Sequence, residues 1–257
     1  MNAESPRPES PAVLLVGHGT RDSVGTEQFF RLGEKLQTQL GSIPVASSLL
    51  EFQEPTIAQG WDSLVAQGAK HIHVAPLLLF AAGHAKQDIP NEIEACVSKT
   101  PWVSHDQSRP ISRHRCVIDL VVHRLGETLQ QTETPMSRTA IVMVGRGNRD
   151  PCAQADMRIL SEVVARRLDV RSVVTAFYAM AEPRLPAVLD QVAGSDRFDQ
   201  VIVHPHLLFE GRLNQAILGQ VREADERHSA VRVQASNYLG PEEAIAKAIA
   251  DRIDGPH

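Results

Sequence analysis

The stretch Ala12-Val-Leu-Leu-Val-Gly-His-Gly-Thr-Arg-Asp22 returns later in the chain as Ala140-Ile-Val-Met-Val-Gly-Arg-Gly-Asn-Arg-Asp150. Each copy is a short apolar run that ends in glycine, the form of a strand buried on both faces of a parallel sheet. From His18 to Arg146 the offset is 128 residues. Glu54-Pro55 returns at the same offset as Glu182-Pro183, and Pro76-Leu-Leu-Leu-Phe80 returns at 129 as Pro205-His-Leu-Leu-Phe209. Gly83-His84 then meets Gly211-Arg212, back at 128. Several blocks repeated in one order mean a duplicated unit. The join is expected in the polar stretch Thr132 to Arg138, which contains Pro135. This gives an N-terminal domain over 12–134 and a C-terminal domain over 135–257, behind a flexible polar tail over 1–11 that lacks the apolar core of a signal peptide.

Within each copy, strand and helix signals alternate. After the strand over 13–16, Phe29, Phe30, Leu32, Leu36 and Leu40 recur near helical spacing across 26–40. A strand follows over 45–50, then a helix from Pro55, in its first turn, to about Gln67, where Gly68 stops it. A third strand is expected over 72–80, a helix over 89–97, a weak strand over 102–105 and a last helix over 116–125. The later copy repeats the order, with strands near 140–144, 172–178, 200–208 and 231–235. The reading is α/β: two tandem homologous domains, each a small parallel sheet flanked by helices. Ligands of such sheets sit beyond the carboxyl ends of the strands, and His18, Glu51 and His84 all fall there.

Composition narrows the function. A net charge of -5 argues against a nucleic-acid partner held by phosphate contacts, and 4% aromatic residues leave little for base stacking. Cys96, Cys116 and Cys152 are scattered and form no CxxC pair, so an iron–sulfur cluster has no support, and sparse thiols suit the cytoplasm. No apolar run approaches the ~20 residues that cross a bilayer, so no membrane partner is expected. No GxGxxG or Walker pattern surrounds Gly17-His18-Gly19, which leaves a nucleotide site weakly supported, and no organic cofactor is expected.

His18 sits directly after a strand between two glycines that let a ligand approach the backbone. Neutral imidazole ligates borderline divalent metals and titrates near physiological pH; the bland alternative is a loop histidine at a helix start. His84 also follows a strand, and Asp88 stands one helical turn on, where it could orient the ring. The second copy holds Arg146 and Arg212 at these two positions. Arginine stays protonated and cannot ligate a metal, but it pairs well with carboxylates. Glu51 is matched by Ala179, so it too is confined to the first copy; it reads as a third ligand, a general base or a surface carboxylate. Glu54, retained as Glu182 ahead of proline, reads as structural, at the positive end of a helix. His71 and His73 on one strand, and His204 and His206 astride Pro205, read as core or rim residues, with metal binding the lesser alternative.

Taken together, Gly17-His-Gly-Thr-Arg-Asp22, Leu50-Glu-Phe-Gln-Glu-Pro55, Pro76-Leu-Leu-Leu-Phe-Ala-Ala-Gly-His-Ala-Lys-Gln-Asp-Ile-Pro90, Val144-Gly-Arg-Gly-Asn-Arg-Asp-Pro151 and Tyr238-Leu-Gly-Pro241 resemble the sirohydrochlorin cobaltochelatase and ferrochelatase family of class II tetrapyrrole chelatases, in its two-domain long form. The resemblance runs from Ala12 to about Ile253. It implies two α/β domains with an active-site cleft between them, and ATP-independent insertion of Co2+ or Fe2+ into sirohydrochlorin for cobalamin or siroheme synthesis. The metal, with Ni2+ also acceptable to such ligands, is a substrate. Two family metal-site histidines match His18 and His84, and Glu51 is the candidate for a helping acid. Arg146, Arg212, Arg21 and Lys86 are the candidates for docking the macrocycle's carboxylates. A non-catalytic carrier of metal or tetrapyrrole is the alternative. Because an internal duplication can replace a homodimer, a monomer is expected.

Overall fold

The computed structural model describes residues 10–80, 87–168, 170 and 172–254. The chain runs β1 (Pro11–Gly17), α1 (Ser23–Leu40), β2 (Val45–Leu49), α2 (Ile57–Ala66), β3 (His71–Pro76), α3 (Ile89–Lys99), β4 (Ser104–Gln107) and α4 (Arg115–Leu129). A short 3-10 turn at Met136–Arg138 leads into β5 (Thr139–Gly145), α5 (Pro151–Leu168), β6 (Ser172–Phe177), α6 (Leu185–Ala193), β7 (Gln200–Pro205), α7 (Arg212–Arg227), β8 (Arg232–Ala235) and α8 (Glu243–Asp254). Two four-stranded parallel sheets result, in the orders β2-β1-β3-β4 and β6-β5-β7-β8. The duplicated apolar stretches are the inner strands β1 and β5, in which Leu14, Leu15, Val142 and Met143 are fully buried. Among the described residues no helix is long and apolar enough to cross a membrane.

The helices begin and end where side chains satisfy the free backbone groups. Asp22 caps α1 by accepting from Gly25 N at 3.0 Å, and Gly41 ends it in a left-handed conformation with φ 62. Phe29, Leu32, Gly33 and Leu36 form the buried stripe of α1. Thr56 and Gln59 close a capping box at α2. Pro55 therefore lies outside that helix, in a cis peptide ahead of the cap, rather than in its first turn. Trp61 of α2 is fully buried against the first sheet and donates its indole N–H to Thr100 Oγ1 at 3.0 Å. It packs with Leu14, Val74 and Ile93 in the core of that unit.

Pro11 opens β1 instead of closing the tail, and β3 ends at Pro76, short of the expected Phe80. Beyond it Leu77 N still donates to Val16 O at 2.8 Å, but Leu78 N turns back to Pro76 O at 3.0 Å and the chain leaves the sheet. The fourth strand starts at Ser104, not Trp102: Val103 N turns back to Thr100 O at 2.9 Å and Trp102 is 62% exposed.

Two compact units divide the chain elsewhere than at the expected join. One comprises Met1–Ser112 with Glu242–His257, the other Arg113–Pro241. The last helix of each repeat is exchanged: α8 packs on α1 and β3, whereas α4 packs on α5 and β7. The buried stripe of α4 (Val117, Leu120, Val121, Leu125) covers the second sheet. Surface ion pairs accompany each contact, Lys35–Glu243 at 3.2 Å in one unit and Arg167–Asp119 at 2.6 Å in the other. At ~1 kcal/mol or less each they matter little beside the apolar burial. The stretch from Thr132 to Arg138 is inside the second unit, where Thr132 Oγ1 donates to Gln200 Oε1 at 2.9 Å. An apolar helix face shows that it needs a sheet to cover; with two sheets of one pattern, it does not say which.

Candidate functional site

In the first unit β1 and β2 end side by side, Gly17 opposite Leu49. Their pairing continues past the strands, with Leu50 N donating to Gly17 O at 2.9 Å and Glu51 N to His18 O at 3.1 Å. His18, half-buried, and Glu51, exposed, are thereby held on adjacent extensions at the carboxyl end of the sheet. Gly19 makes this approach feasible. Its φ is +92, and a Cβ there would come within 2.1 Å of the Glu51 carbonyl oxygen, so only a hydrogen fits. Downstream, Gln53 Nε2 donates to Thr20 O at 2.9 Å and Asp22 N donates to Thr20 Oγ1 at 3.1 Å, which pins the loop to the start of α1.

Phe52 completes this corner, and sequence reasoning missed it. Its backbone is left-handed, φ 71, and the residue is 53% exposed. The ring meets the His18 imidazole edge to face, centroids 6.2 Å apart, and the Arg21 guanidinium lies 5.0 Å from its centroid. A signal existed: Met180, 128 residues on, is also apolar, 48% exposed and left-handed at φ 58. An apolar residue at the same loop position in both copies indicates an exposed surface that does not relax to a polar side chain.

His84 and Lys86 lie outside the described residues. Asp88 is exposed just ahead of α3, with helical backbone and no side-chain cap bond. Among the described residues, His18, Glu51 and Arg21 are the candidates brought together in the first unit.

The second unit repeats the frame with other side chains. Tyr178 N donates to Gly145 O at 2.9 Å and Ala179 N to Arg146 O at 2.8 Å. Gly147 has φ +88, and a Cβ there would lie 1.7 Å from Ala179 O. Arg146 thus stands in the place of His18, and Ala179 in that of Glu51. Arg212 is exposed as the first residue of α7. The Glu210 carboxylate already serves that helix end, accepting from Gly211 N at 3.1 Å and Asn214 Nδ2 at 2.8 Å. Glu182 Oε2 accepts from Arg184 N at 2.9 Å ahead of α6, and Glu54 Oε1 accepts from Gln59 Nε2 at 3.2 Å beside α2, both local structural contacts.

His204 and His206 are core residues. His204 Nδ1 pairs with Ser236 Oγ at 2.8 Å, and its pKa is pushed well down by burial first, then by His206 and Arg124. Burial lowers His206 to about 4. Neutral imidazoles are what a dry interior tolerates.

Residues 12–128 and 140–255 each match the family model described as CbiX. The chain belongs to the CbiX family. This CbiX chain is 32% identical over 243 residues to a sirohydrochlorin ferrochelatase of Bacillus subtilis, covering 94% of its own length and 90% of the relative's. It is 30% identical to a sirohydrochlorin cobaltochelatase of Priestia megaterium, with 95% and 79% covered. Among solved structures it is similar to SirB from Bacillus subtilis with Fe3+: the TM-score is 0.86 at 30% identity, covering 95% of this chain and 94% of that one. The paired CbiX matches coincide with the two repeats, although each compact unit takes its last helix from the other repeat.

Proposed function

We propose that this chain is a sirohydrochlorin metal chelatase, inserting Co2+ or Fe2+ into the macrocycle without ATP, in cobalamin or siroheme synthesis. The named activities of its relatives support the reaction. The observation that carries the residue assignment is the joining of His18 to Glu51 by the Glu51 N–H···O=C His18 bond at a strand end. In this reading the imidazole of His18, with that of His84, holds the incoming ion while its water ligands exchange for pyrrole nitrogens. Two pyrrole protons leave as the dication enters, so the charge of the ring's metal-binding nitrogens is balanced. Glu51, exposed and beside His18, takes a departing proton and passes it to solvent. Asp88 positions His84. Arg21 and Lys86, and Arg146 and Arg212 of the second repeat, pair with the macrocycle's carboxylates, and the ring of Phe52 presents a flat apolar face beside the ion.

The test is an anaerobic spectrophotometric assay of the purified chain with sirohydrochlorin and Co2+, Fe2+ or Ni2+. His18→Ala and His84→Ala are expected to abolish insertion while the circular dichroism spectrum is unchanged. Unchanged turnover in both variants overturns the assignment, and stoichiometric binding without turnover by the unaltered chain makes it a carrier.

A further inference from the structure

A second group of metal-binding side chains lies in the first unit, away from the strand ends. His71 and His73 share one face of β3, and Asp106 is in register with His73 on the neighbouring edge strand β4. Asp106 Oδ1 meets His73 Nδ1 in a short contact, and Oδ2 stands 3.4 Å from His71 Nε2. One ligand atom from each of the three residues fits within a 4.8 Å span. His73 is buried and His71 nearly so, while Asp106 is 30% exposed, which leaves a path for an ion and water to enter.

The hydrogen bonds around His71 fix which nitrogen faces the carboxylate. Ser104 Oγ donates its single proton to Lys70 O at 3.2 Å, so it accepts from His71 Nδ1–H at 2.9 Å. In the neutral ring the lone pair is then on Nε2, aimed at a carboxylate oxygen. A metal ion or a proton placed there bridges the imidazole nitrogen and the carboxylate oxygen. A ligating imidazole whose other nitrogen is held by a hydroxyl or carbonyl is the usual arrangement around a protein-bound metal.

The second unit shows that the fold does not require these residues. In the same registers it has Gln200 for His71, Ile202 for His73 and Gln234 for Asp106. Ile202 is fully buried, so that sheet face packs well without an imidazole.

We propose that His71, His73 and Asp106 bind a divalent cation of the Zn2+, Co2+ or Ni2+ class, separate from the ion being inserted, and that it ties the edge strand β4 to β3. Two nitrogens and one carboxylate at ~2.0–2.2 Å from the ion suit these metals, with solvent completing the coordination. The ion's role is to staple a four-residue edge strand, and the site stands whether or not the chain is a chelatase.

The experiment is equilibrium dialysis of Co2+ against the full chain carrying His18→Ala and His84→Ala, which removes the ligands assigned to the inserted ion. This protein is expected to bind one Co2+ per chain, with visible bands of nitrogen and oxygen ligation. Adding Asp106→Asn, which keeps shape but removes charge, should weaken binding about ten-fold or more. Adding His71→Gln, His73→Ile and Asp106→Gln, the residues of the second unit, should abolish it with circular dichroism unchanged. No Co2+ bound by the starting variant, or binding that Asp106→Asn leaves unaltered, overturns the proposal; in either case the pair of rings shares a proton with Asp106 instead.

Discussion

Gly19→Ala tests the coupling between backbone and chemistry most directly. The added methyl would lie 2.1 Å from Glu51 O, where an ordinary contact is at least 3.4 Å, so the loops must part by more than an ångström. The left-handed φ of +92 adds ~1–2 kcal/mol of strain for an L residue. Separating the loops also weakens Leu50 N–H···O Gly17 and Glu51 N–H···O His18, each worth ~0.5–1.5 kcal/mol. The expected loss of stability is about 2–5 kcal/mol, which a domain with ~5–15 kcal/mol in hand survives. A displacement near an ångström at reacting groups costs on the order of 100-fold in rate, so kcat for Co2+ insertion should fall by about that factor. Gly147→Ala is the control. It meets the same clash, 1.7 Å from Ala179 O at φ +88, and so should cost similar stability. Because it displaces Arg146 rather than His18, it should raise KM and leave kcat near the starting value. Urea unfolding and initial-rate kinetics on both variants separate the two effects. A Gly19→Ala chain of full kcat, or a Gly147→Ala chain that loses as much kcat, would refute the reasoning.

Acid should loosen the second unit through its buried histidines. With His206 near 4 when folded and ~6.5 when unfolded, its contribution is fully present above the unfolded value and is lost as pH falls toward 4. At pH 5 that loss is roughly 2 kcal/mol, to which His204 adds in the same direction. His206→Leu, the residue the first unit has as buried Leu77, should flatten the decline by about that amount in urea midpoints compared between neutral pH and pH 5; an unchanged slope counts against the assignment. Glu51→Gln should lower kcat about 100-fold or more with little change in unfolding midpoint, since the side chain is exposed; a variant of full kcat would show that solvent takes the pyrrole protons unaided. Trp61→Phe removes the indole N–H that Thr100 Oγ1 accepts in the core, and a loss of about 1–3 kcal/mol by urea unfolding is expected.

What the sequence disclosed and what it hid divide along physical lines. The inner strands and α1 were legible because burial on both faces, or on one helical stripe, forces an unbroken or 3.6-fold apolar pattern. Edge strand β4 was displaced in the reading because its residues, from Ser104 on, carry no such pattern while exposed Trp102 imitates one. Phe52 was missed for the opposite reason: taken alone, an apolar letter does not signal exposure in a left-handed loop, and only its match to Met180 across the repeat marks it. The exchange of α4 and α8 could not be read at all, since both sheets offer equivalent surfaces.

The duplication is itself the control that a single domain would lack. Glycines at 19 and 147, the backbone bonds at His18 and Arg146, and left-handed Phe52 and Met180 recur in both units. They belong to the frame, because two copies free to drift have kept them. His18 against Arg146, and Glu51 against Ala179, differ within that unchanged frame, so packing and hydrogen bonding of the backbone do not demand either member of each pair. The same comparison sets His73 against Ile202 and Asp106 against Gln234 on matched sheet positions. A buried imidazole beside a partly buried carboxylate is costly to desolvate, and the second unit has a fully buried isoleucine at the place of that imidazole. What sets His71, His73 and Asp106 apart from the equally replaceable core histidines His204 and His206 is that their ligand atoms converge within 4.8 Å and that Asp106 is open to solvent.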